Sequence, residues 1–390
     1  MDAVSVTFPK GFRAAASAVG IKSSGALDLS LILATGAVPA AAVFTQNAAA
    51  APPVHLSRRH MQESAGRIRG VILNSGCANA ATGERGAQAA HQMAAATAEA
   101  VNCQAAEVLV CSTGPIGPHL PMDKIGPAIP ALAARAASTP EAGRDAADGI
   151  LTTDTFRKQA KAAGAGFKVG GMAKGAGMIR PKMATMLAVV TTDAVASPAR
   201  LQEALRHAAD ETFNSINIDG CESTNDTVIL MASGESATEP SLEVLTQAVR
   251  LVCAGLARDI VVDAEESTRV ITVRVNGAAD NDSARRMGMA IADSDLVRCS
   301  FYGGDPNWGR LVAAVGACGE PVEAALLGIS YQGVPVAAKG MFTGVDLAAV
   351  EALLEGDFEV DVTVGEGPGV AEILTCDLTP GYVTYNGEPS

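Results

Sequence analysis

Short apolar runs, each bounded by small or polar residues, recur along the chain and predict strands at 70–73, 107–111, 168–172, 186–191, 227–232, 270–275 and 358–364. The run R-V-I-T-V-R-V-N-G at 269–277 alternates through most of its length and is rich in β-branched residues, as a half-buried strand is. Between these runs the spacing turns helical. Residues 86–101 are Ala-rich, 199–213 carry Leu201, Leu205 and Phe213 at near-helical intervals, and 242–264 form the longest predicted helix, ending in an acidic stretch. Residues 121–137 predict a further helix and 346–354 a short one, with Asp346 suited to its N-terminal end. Residues 138–144 and 233–240 read as loops, and 355–390 as strand-like, ending in a turn-rich tail. The alternation predicts an α/β fold with mixed sheets.

Composition narrows the classes. Of 390 residues, 48% are hydrophobic and 18% charged, which supplies a sizeable core and excludes wholesale disorder. Aromatics are 4% and glycines number 40, so the core is built mainly from Ala, Val, Leu and Ile, with glycine where backbone meets backbone or ligand. The 29 basic against 42 acidic residues give a net charge of -13. That excludes a general nucleic-acid binder, whose affinity rests on neutralising phosphates, but leaves room for a local basic pocket. The mean hydropathy of +0.22 looks membrane-like. Yet no uninterrupted apolar run approaches the ~18 residues of a span, and the Ala-rich stretch 34–51 is broken by Pro39, Gln46 and Asn47. The N-terminal MDAVSVTFPKGFRAAA lacks a basic segment leading into an apolar one, so no secretory signal is expected. Eight cysteines (Cys77, Cys103, Cys111, Cys221, Cys253, Cys299, Cys318 and Cys376), with no C-x-x-C pair, fit a reduced, cytoplasmic protein.

Three predicted strands run into turns of small polar and glycine residues: V-I-L-N-S-G-C-A-N-A at 71–80, V-L-V-C-S-T-G-P-I-G at 108–117 and V-G-G-M-A-K-G-A-G-M at 169–178. Backbone N–H groups in such turns converge on anions or a developing oxyanion, and three of them predict a shared site. None carries the P-loop or G-x-G-x-x-G pattern, so no nucleotide cofactor is expected. The histidines His55, His60, His91, His119 and His207 form no H-x-x-x-H and no zinc spacing with cysteine, so no metal is expected either. There is no G-x-S-x-G, which argues against a histidine-activated serine.

The most unusual stretch is K-G-A-G-M-I-R-P-K-M-A-T-M-L at 174–187. It resembles the self-cleaving segment of the bifunctional ornithine acetyltransferase/glutamate N-acetyltransferase family of arginine biosynthesis. Further blocks resemble that family: G-F-R-A-A at 11–15, G-I-K-S-S-G-A-L-D-L at 20–29, A-V-F-T-Q-N at 42–47, N-S-G-C-A-N-A at 74–80, F-N-S-I-N-I-D-G-C-E-S-T-N-D-T at 213–227 and G-G-D-P-N-W-G-R at 303–310. Together they span nearly the whole chain.

The resemblance implies self-cleavage between Ala184 and Thr185, giving an α chain of 1–184 and a β chain of 185–390. Thr185 would then be an N-terminal nucleophile whose own α-amine, with a reference pKa near ~8, serves as its base. It would take the acetyl group of N2-acetyl-L-ornithine and pass it to L-glutamate, with acetyl-CoA as a possible second donor and no cofactor. The Thr113 hydroxyl and Gly114 backbone N–H resemble the family's oxyanion hole. Lys174 resembles its substrate-binding lysine, T-T-D-T at 152–155 a substrate loop with Thr152 or Thr153 the contact, and Glu265 the acid that meets the ornithine side-chain amine, with Glu266 its neighbouring rival. At the tail, Asn386 and Ser390 match the spacing of the family's closing residues, although Pro389 replaces the usual tyrosine.

Taken singly, these residues have plainer readings: a strand-start threonine, a solvated lysine, an ordinary turn. Asp219, Asn225 and Asp226 read as turn and cap residues, Trp308 as a core anchor near the site, and Arg310 as a packing or ion-pair residue. The family implies mixed sheets sandwiched by helices with a smaller C-terminal α/β part (internal boundary 235–240) and an α2β2 heterotetramer of the two chains, with no nucleic-acid or membrane partner. The alternatives are a monofunctional ornithine acetyltransferase, a paralogue acting on another acylated amino acid, a related self-processing amidase or aminopeptidase, or a non-enzymatic binding protein.

Overall fold

The computed structural model describes residues 4–164, 166–180 and 186–388. Its strands, in chain order, are β1 (Phe12–Ser17), β2 (Leu29–Phe44), β3 (Arg67–Ser75), β4 (Val108–Thr113), β5 (Lys158–Gly164), β6 (Phe167–Lys174), β7 (Leu187–Thr192), β8 (Ile216–Asn217), β9 (Thr227–Ala232), β10 (Val270–Ala278), β11 (Gly328–Tyr331), β12 (Val334–Ala338), β13 (Met341–Phe342), β14 (Phe358–Thr363) and β15 (Gly369–Cys376). The helices are α1 (Pro52–Glu63), α2 (Gly83–Val101), α3 (Met122–Ala134), α4 (Pro140–Asp148), α5 (Pro198–Glu211), α6 (Leu242–Val262), α7 (Asn281–Asp293), α8 (Asp295–Gly303), α9 (Trp308–Gly316), α10 (Leu347–Glu351) and α11 (Pro380–Gly387).

Two compact units emerge, each drawn from interleaved segments. Unit 1 comprises Met1–Gly175, Pro181–Asn214 and Glu222–Ile260; unit 2 comprises Ala176–Arg180, Ser215–Cys221 and Val261–Ser390.

Unit 1 is organised on a mixed sheet in the order β4-β3-β2-β9-β7-β6-β5, with β1 also paired to β2. The long β2 is its spine. Its first half runs antiparallel to β3, its register shifts between Leu33 and Val38, and its second half runs antiparallel to β9. Leu29, Leu31 and Leu33 pack with Met93 of α2 and Ile125 of α3. Ile32 and Ala34 point the other way, into a second core with Ala146 and Ala147 of α4. Burial on both faces explains why these strands read as near-continuous apolar runs. It also explains the hydropathy of 34–51, much of which is this strand.

Unit 2 holds a sheet in the order β13-β12-β11-β14-β10-β15-β8. The alternation at 269–277 is β10, parallel to β14 and antiparallel to β15, with Ile271, Val273 and Val275 fully buried against Met287 and Ile291 of α7. Among the described residues no helix is long and apolar enough to cross a membrane.

The predicted strands fall within a few residues of β3, β4, β6, β7, β9, β10 and β14, and the predicted helices on α2, α3, α5, α6 and α10, whereas β1, β2, β5, β8, β11–β13 and helices α1, α7, α8 and α9 were not predicted. Two predicted segments also take a different form. The predicted loop at 138–144 is largely helix α4: the Thr139 hydroxyl accepts the Ala142 N–H and Pro140 fills the first helical position, where a missing donor costs nothing. The tail is not a run of turns. Thr379 caps α11 in the same way, again with proline following it.

Candidate functional site

In unit 1, β3 and β4 run parallel with Ser75 opposite Thr113, and both end in glycine-rich turns that close on each other. The Cys77 N–H donates to the Thr113 carbonyl at 3.0 Å, Ala78 N–H to Pro115 O at 3.1 Å, and Gly117 N–H to Ala80 O at 3.1 Å. A single buried amide fastens the two: Asn225 Nδ2 donates to Ala78 O at 2.7 Å and Ser112 O at 2.9 Å. Asn225 is thus a structural tie for the turn. Gly114 sits at φ +134°, and a Cβ there would lie 2.4 Å from the Cys77 nitrogen, so only glycine fits. The half-buried Thr113 hydroxyl has no hydrogen-bond partner among the described residues, which leaves its donor free for a ligand.

At the end of β6, Lys174 is 5% exposed, and its ammonium lies 3.8 Å from Asp154 Oδ2. The Asp154 side chain has no exposed surface, and Lys158 Nζ donates to its Oδ1 at 2.7 Å. The Gly175 N–H donates to the same oxygen at 2.6 Å, while the Thr152 N–H donates to Oδ2 at 3.0 Å. Burial pushes the Asp154 carboxyl up, but Lys174, Lys158 and these hydrogen bonds outweigh it and hold the group well below the usual carboxylate range. Thr152 is therefore tied to this cluster, whereas Thr153 is exposed.

A third lysine joins them. The fully buried Asp28 accepts backbone N–H groups from Val19, Gly20, Ile21 and Lys22 at 2.7, 3.1, 2.6 and 3.0 Å, curling 19–22 around its carboxylate. This sets Lys22 against Gly76 of the first turn, and its ammonium donates to Leu27 O at 2.8 Å. Burial lowers the Lys22 pKa, partly offset by Asp28 and Asp154. Close by, Asp226 is buried beside the Met186 N–H, one residue past Thr185, and its Oδ2 has no hydrogen-bond partner among the described residues. Burial raises its pKa well above the usual carboxylate value, more than Met186 N–H and Lys174 lower it.

In unit 2, the segment leading to the resemblance's cleavage site is held along its length. Glu265 N–H donates to Ala176 O at 3.0 Å, and Ile218 N–H to Ile179 O at 2.7 Å. Asp219 accepts from Met178 N–H and, at 2.9 Å, from Ile179 N–H, and Arg180 pairs with Asp293 at 2.9 Å. Gly177 presents no Cβ, which would lie 2.6 Å from the Glu265 carboxylate. Asn386, in the last turn of α11, donates from Nδ2 to Glu265 Oε2 at 3.1 Å. Glu266 takes another role: its carbonyl accepts the Thr379 hydroxyl at 2.8 Å at the start of α11.

The structure thus brings together the Thr113–Gly114 turn with the turn at 74–80, Lys174 with Thr152 through Asp154, and Glu265 with Asn386. Ala184, Thr185 and Ser390 lie outside the described residues. Sequence reasoning did not single out Asp154, Lys22 or Asp28. Trp308 is partly buried and stacks on Phe342 at 6.2 Å, and Arg310 donates to Leu296 O at 2.6 Å. A groove of about 620 Å³ in unit 2, bordered by Ala290, Leu296, Arg310 and Ala313, contains none of the candidate substrate-contacting residues. Among the described residues no group of three or more His, Cys, Asp or Glu is placed to hold a metal ion.

The ArgJ family matches residues 13–389. The chain belongs to this family. It is 45% identical to the arginine biosynthesis bifunctional protein ArgJ of Thermobifida fusca over 98% of this chain and 99% of the relative. It is also 45% identical to the protein of that name from Mycobacterium leprae over 99% of this chain and 96% of the relative. A crystal structure of ornithine acetyltransferase complexed with ornithine, from Mycobacterium tuberculosis, is 43% identical and covers 47% of this chain and 97% of its own, with a TM-score of 0.45. ArgJ-family membership makes the chain an enzyme of arginine biosynthesis with the family's general acetyl-transfer function.

Proposed function

We propose that the chain cuts itself between Ala184 and Thr185, and that Thr185 then carries an acetyl group from N2-acetyl-L-ornithine to L-glutamate. As Thr185 Oγ1 attacks the acetyl carbonyl, its proton passes to the Thr185 α-amine. The oxyanion takes hydrogen bonds from the Thr113 hydroxyl and the Gly114 N–H. Collapse breaks the acetyl C–N bond, the ammonium returns its proton to the leaving nitrogen, and L-ornithine departs. The amine of L-glutamate then attacks the Thr185 ester, giving N-acetyl-L-glutamate and restoring the hydroxyl.

The observation that carries this reading is the Thr113–Gly114 turn: a glycine that tolerates no Cβ, beside a threonine hydroxyl with no partner among the described residues, in a chain of the ArgJ family. Lys174 with Thr152 supports recognition of a carboxylate, and Glu265, positioned by Asn386, supports recognition of the ornithine ammonium. The relatives are named bifunctional, which supports acetyl-CoA as a second donor. The 1–184 and 185–390 chains then stay associated, as an α2β2 heterotetramer, because the oxyanion donors lie on one and the nucleophile on the other.

Incubation with N2-acetyl-L-ornithine alone, followed by mass spectrometry, tests the reading. It predicts one acetyl group on the fragment beginning at Thr185, discharged on adding L-glutamate. Acetyl transfer that never labels that fragment contradicts it.

A further inference from the structure

We propose that Asp154 is the positioning residue of a carboxylate-binding corner, a single buried side chain that holds Lys174 for the α-carboxylate shared by the amino-acid substrates. The inference rests on the reading of Lys174 as a substrate contact given above.

Every strong interaction of the Asp154 carboxylate is with a group at this corner. Oδ1 takes the Lys158 ammonium at 2.7 Å and the Gly175 N–H at 2.6 Å, and so fixes the backbone on the far side of Lys174. Oδ2 takes the Thr152 N–H at 3.0 Å and its hydroxyl at 3.5 Å, and faces the Lys174 ammonium at 3.8 Å. At that separation Lys174 is attracted to Asp154 without spending a short hydrogen bond on it, so its three donors remain available to a second anion. The charge count points the same way. Asp154 faces Lys158 and Lys174 directly and Lys22 within electrostatic reach, three cations around one carboxylate. Of the other buried acids here, Asp28 is occupied by four backbone N–H groups, and Asp226 acts on Lys174. A lysine is a flexible point charge, and a buried carboxylate fixed by four donors narrows where that charge sits before substrate arrives.

The test measures steady-state kinetics of the self-cleaved enzyme with N2-acetyl-L-ornithine and L-glutamate for wild type, Asp154→Asn, Lys174→Met and the double variant. Asp154→Asn is expected to raise KM for both substrates by ~10-fold or more, the scale of one lost charge-assisted bond, with a smaller change in kcat. In the Lys174→Met background the same change adds little, because Asp154 acts through Lys174. Lys158→Met breaks the shorter ion pair and is expected to lower Tm. Should Asp154→Asn fail to accumulate, Asp154→Glu keeps the charge but displaces it, and the same rise in KM is expected. Unchanged KM in the Asp154 variants alongside a raised KM in Lys174→Met overturns the proposal alone. So do multiplicative effects in the double variant. Unchanged KM in Lys174→Met overturns the reading of Lys174 itself.

Discussion

Lys158 Nζ and Asp154 Oδ1 form an ion pair at 2.7 Å in which neither side chain has any exposed surface. Removing one partner of such a pair leaves a buried charge uncompensated, at a cost of ~3–5 kcal/mol. Lys158→Met is therefore expected to lose stability on that scale in thermal or denaturant unfolding. The pH dependence follows from the direction of the Asp154 shift. Its folded pKa is depressed, so its stabilising contribution is present above the ordinary carboxylate pKa of ~3.9 and is lost as pH falls through the lower folded value. Wild type should lose stability below about pH 4.

Asp226 predicts the opposite sign. Burial raises its folded pKa, so its contribution is fully present below the ordinary carboxylate value and is lost as pH rises through the folded one. Asp226→Asn, nearly isosteric and uncharged, should match wild type within ~1 kcal/mol in acid and equal or exceed it at higher pH. Melting curves of both proteins across pH check this. A large loss in the Asn variant at high pH would show that the ionised carboxylate is needed.

Thr113→Ala deletes a hydroxyl that bonds to nothing among the described residues, so Tm should barely move. The acetyl-transfer rate should fall by ~10²–10³, the usual loss for one oxyanion donor. Gly114→Ala should differ. Its Cβ would meet the Cys77 nitrogen at 2.4 Å and the Gly76 carbonyl carbon at 2.6 Å, both backbone atoms, so stability and activity should fall together.

Asp219 gathers the N–H groups of Met178 and Ile179, just ahead of the segment proposed to cut itself. Asp219→Ala should slow maturation, seen as precursor persisting in a time course by intact mass. Once cleaved, the variant should still transfer acetyl groups.

The apolar runs made most of the central strands legible, because burial on one or both faces leaves a direct mark on the residues. Helix starts were read unevenly from one signal. Ser197 followed by Pro198 begins α5, which was recognisable from the spacing of Leu201 and Leu205. Thr139–Pro140 and Thr379–Pro380 open helices in the same way, but α4 and α11 carry no leucine stripe, and the cap alone was passed over. The strand β2 was hidden because Thr35, Gly36 and Pro39 interrupt it; the register shift between Leu33 and Val38 absorbs that break. The glycine turns and the resemblance pointed to Thr113, Gly114, Lys174, Glu265 and Asn386 as candidates. Asp154 stood in plain view in T-T-D-T, yet its partners Lys174 and Gly175 lie 20 and 21 residues on, and only folding brings them to one carboxylate. Asp28 was likewise unreadable, since its partners are backbone N–H groups that leave no mark in residue type.

The most direct test of the central claim is the intact mass of purified wild type and Thr185→Ala, each then assayed with N2-acetyl-L-ornithine and L-glutamate. The account predicts two fragments in wild type, the second beginning at Thr185, a single 39.5 kDa chain in the variant, and acetyl transfer only in wild type. An uncleaved wild type that still transfers acetyl groups would contradict it.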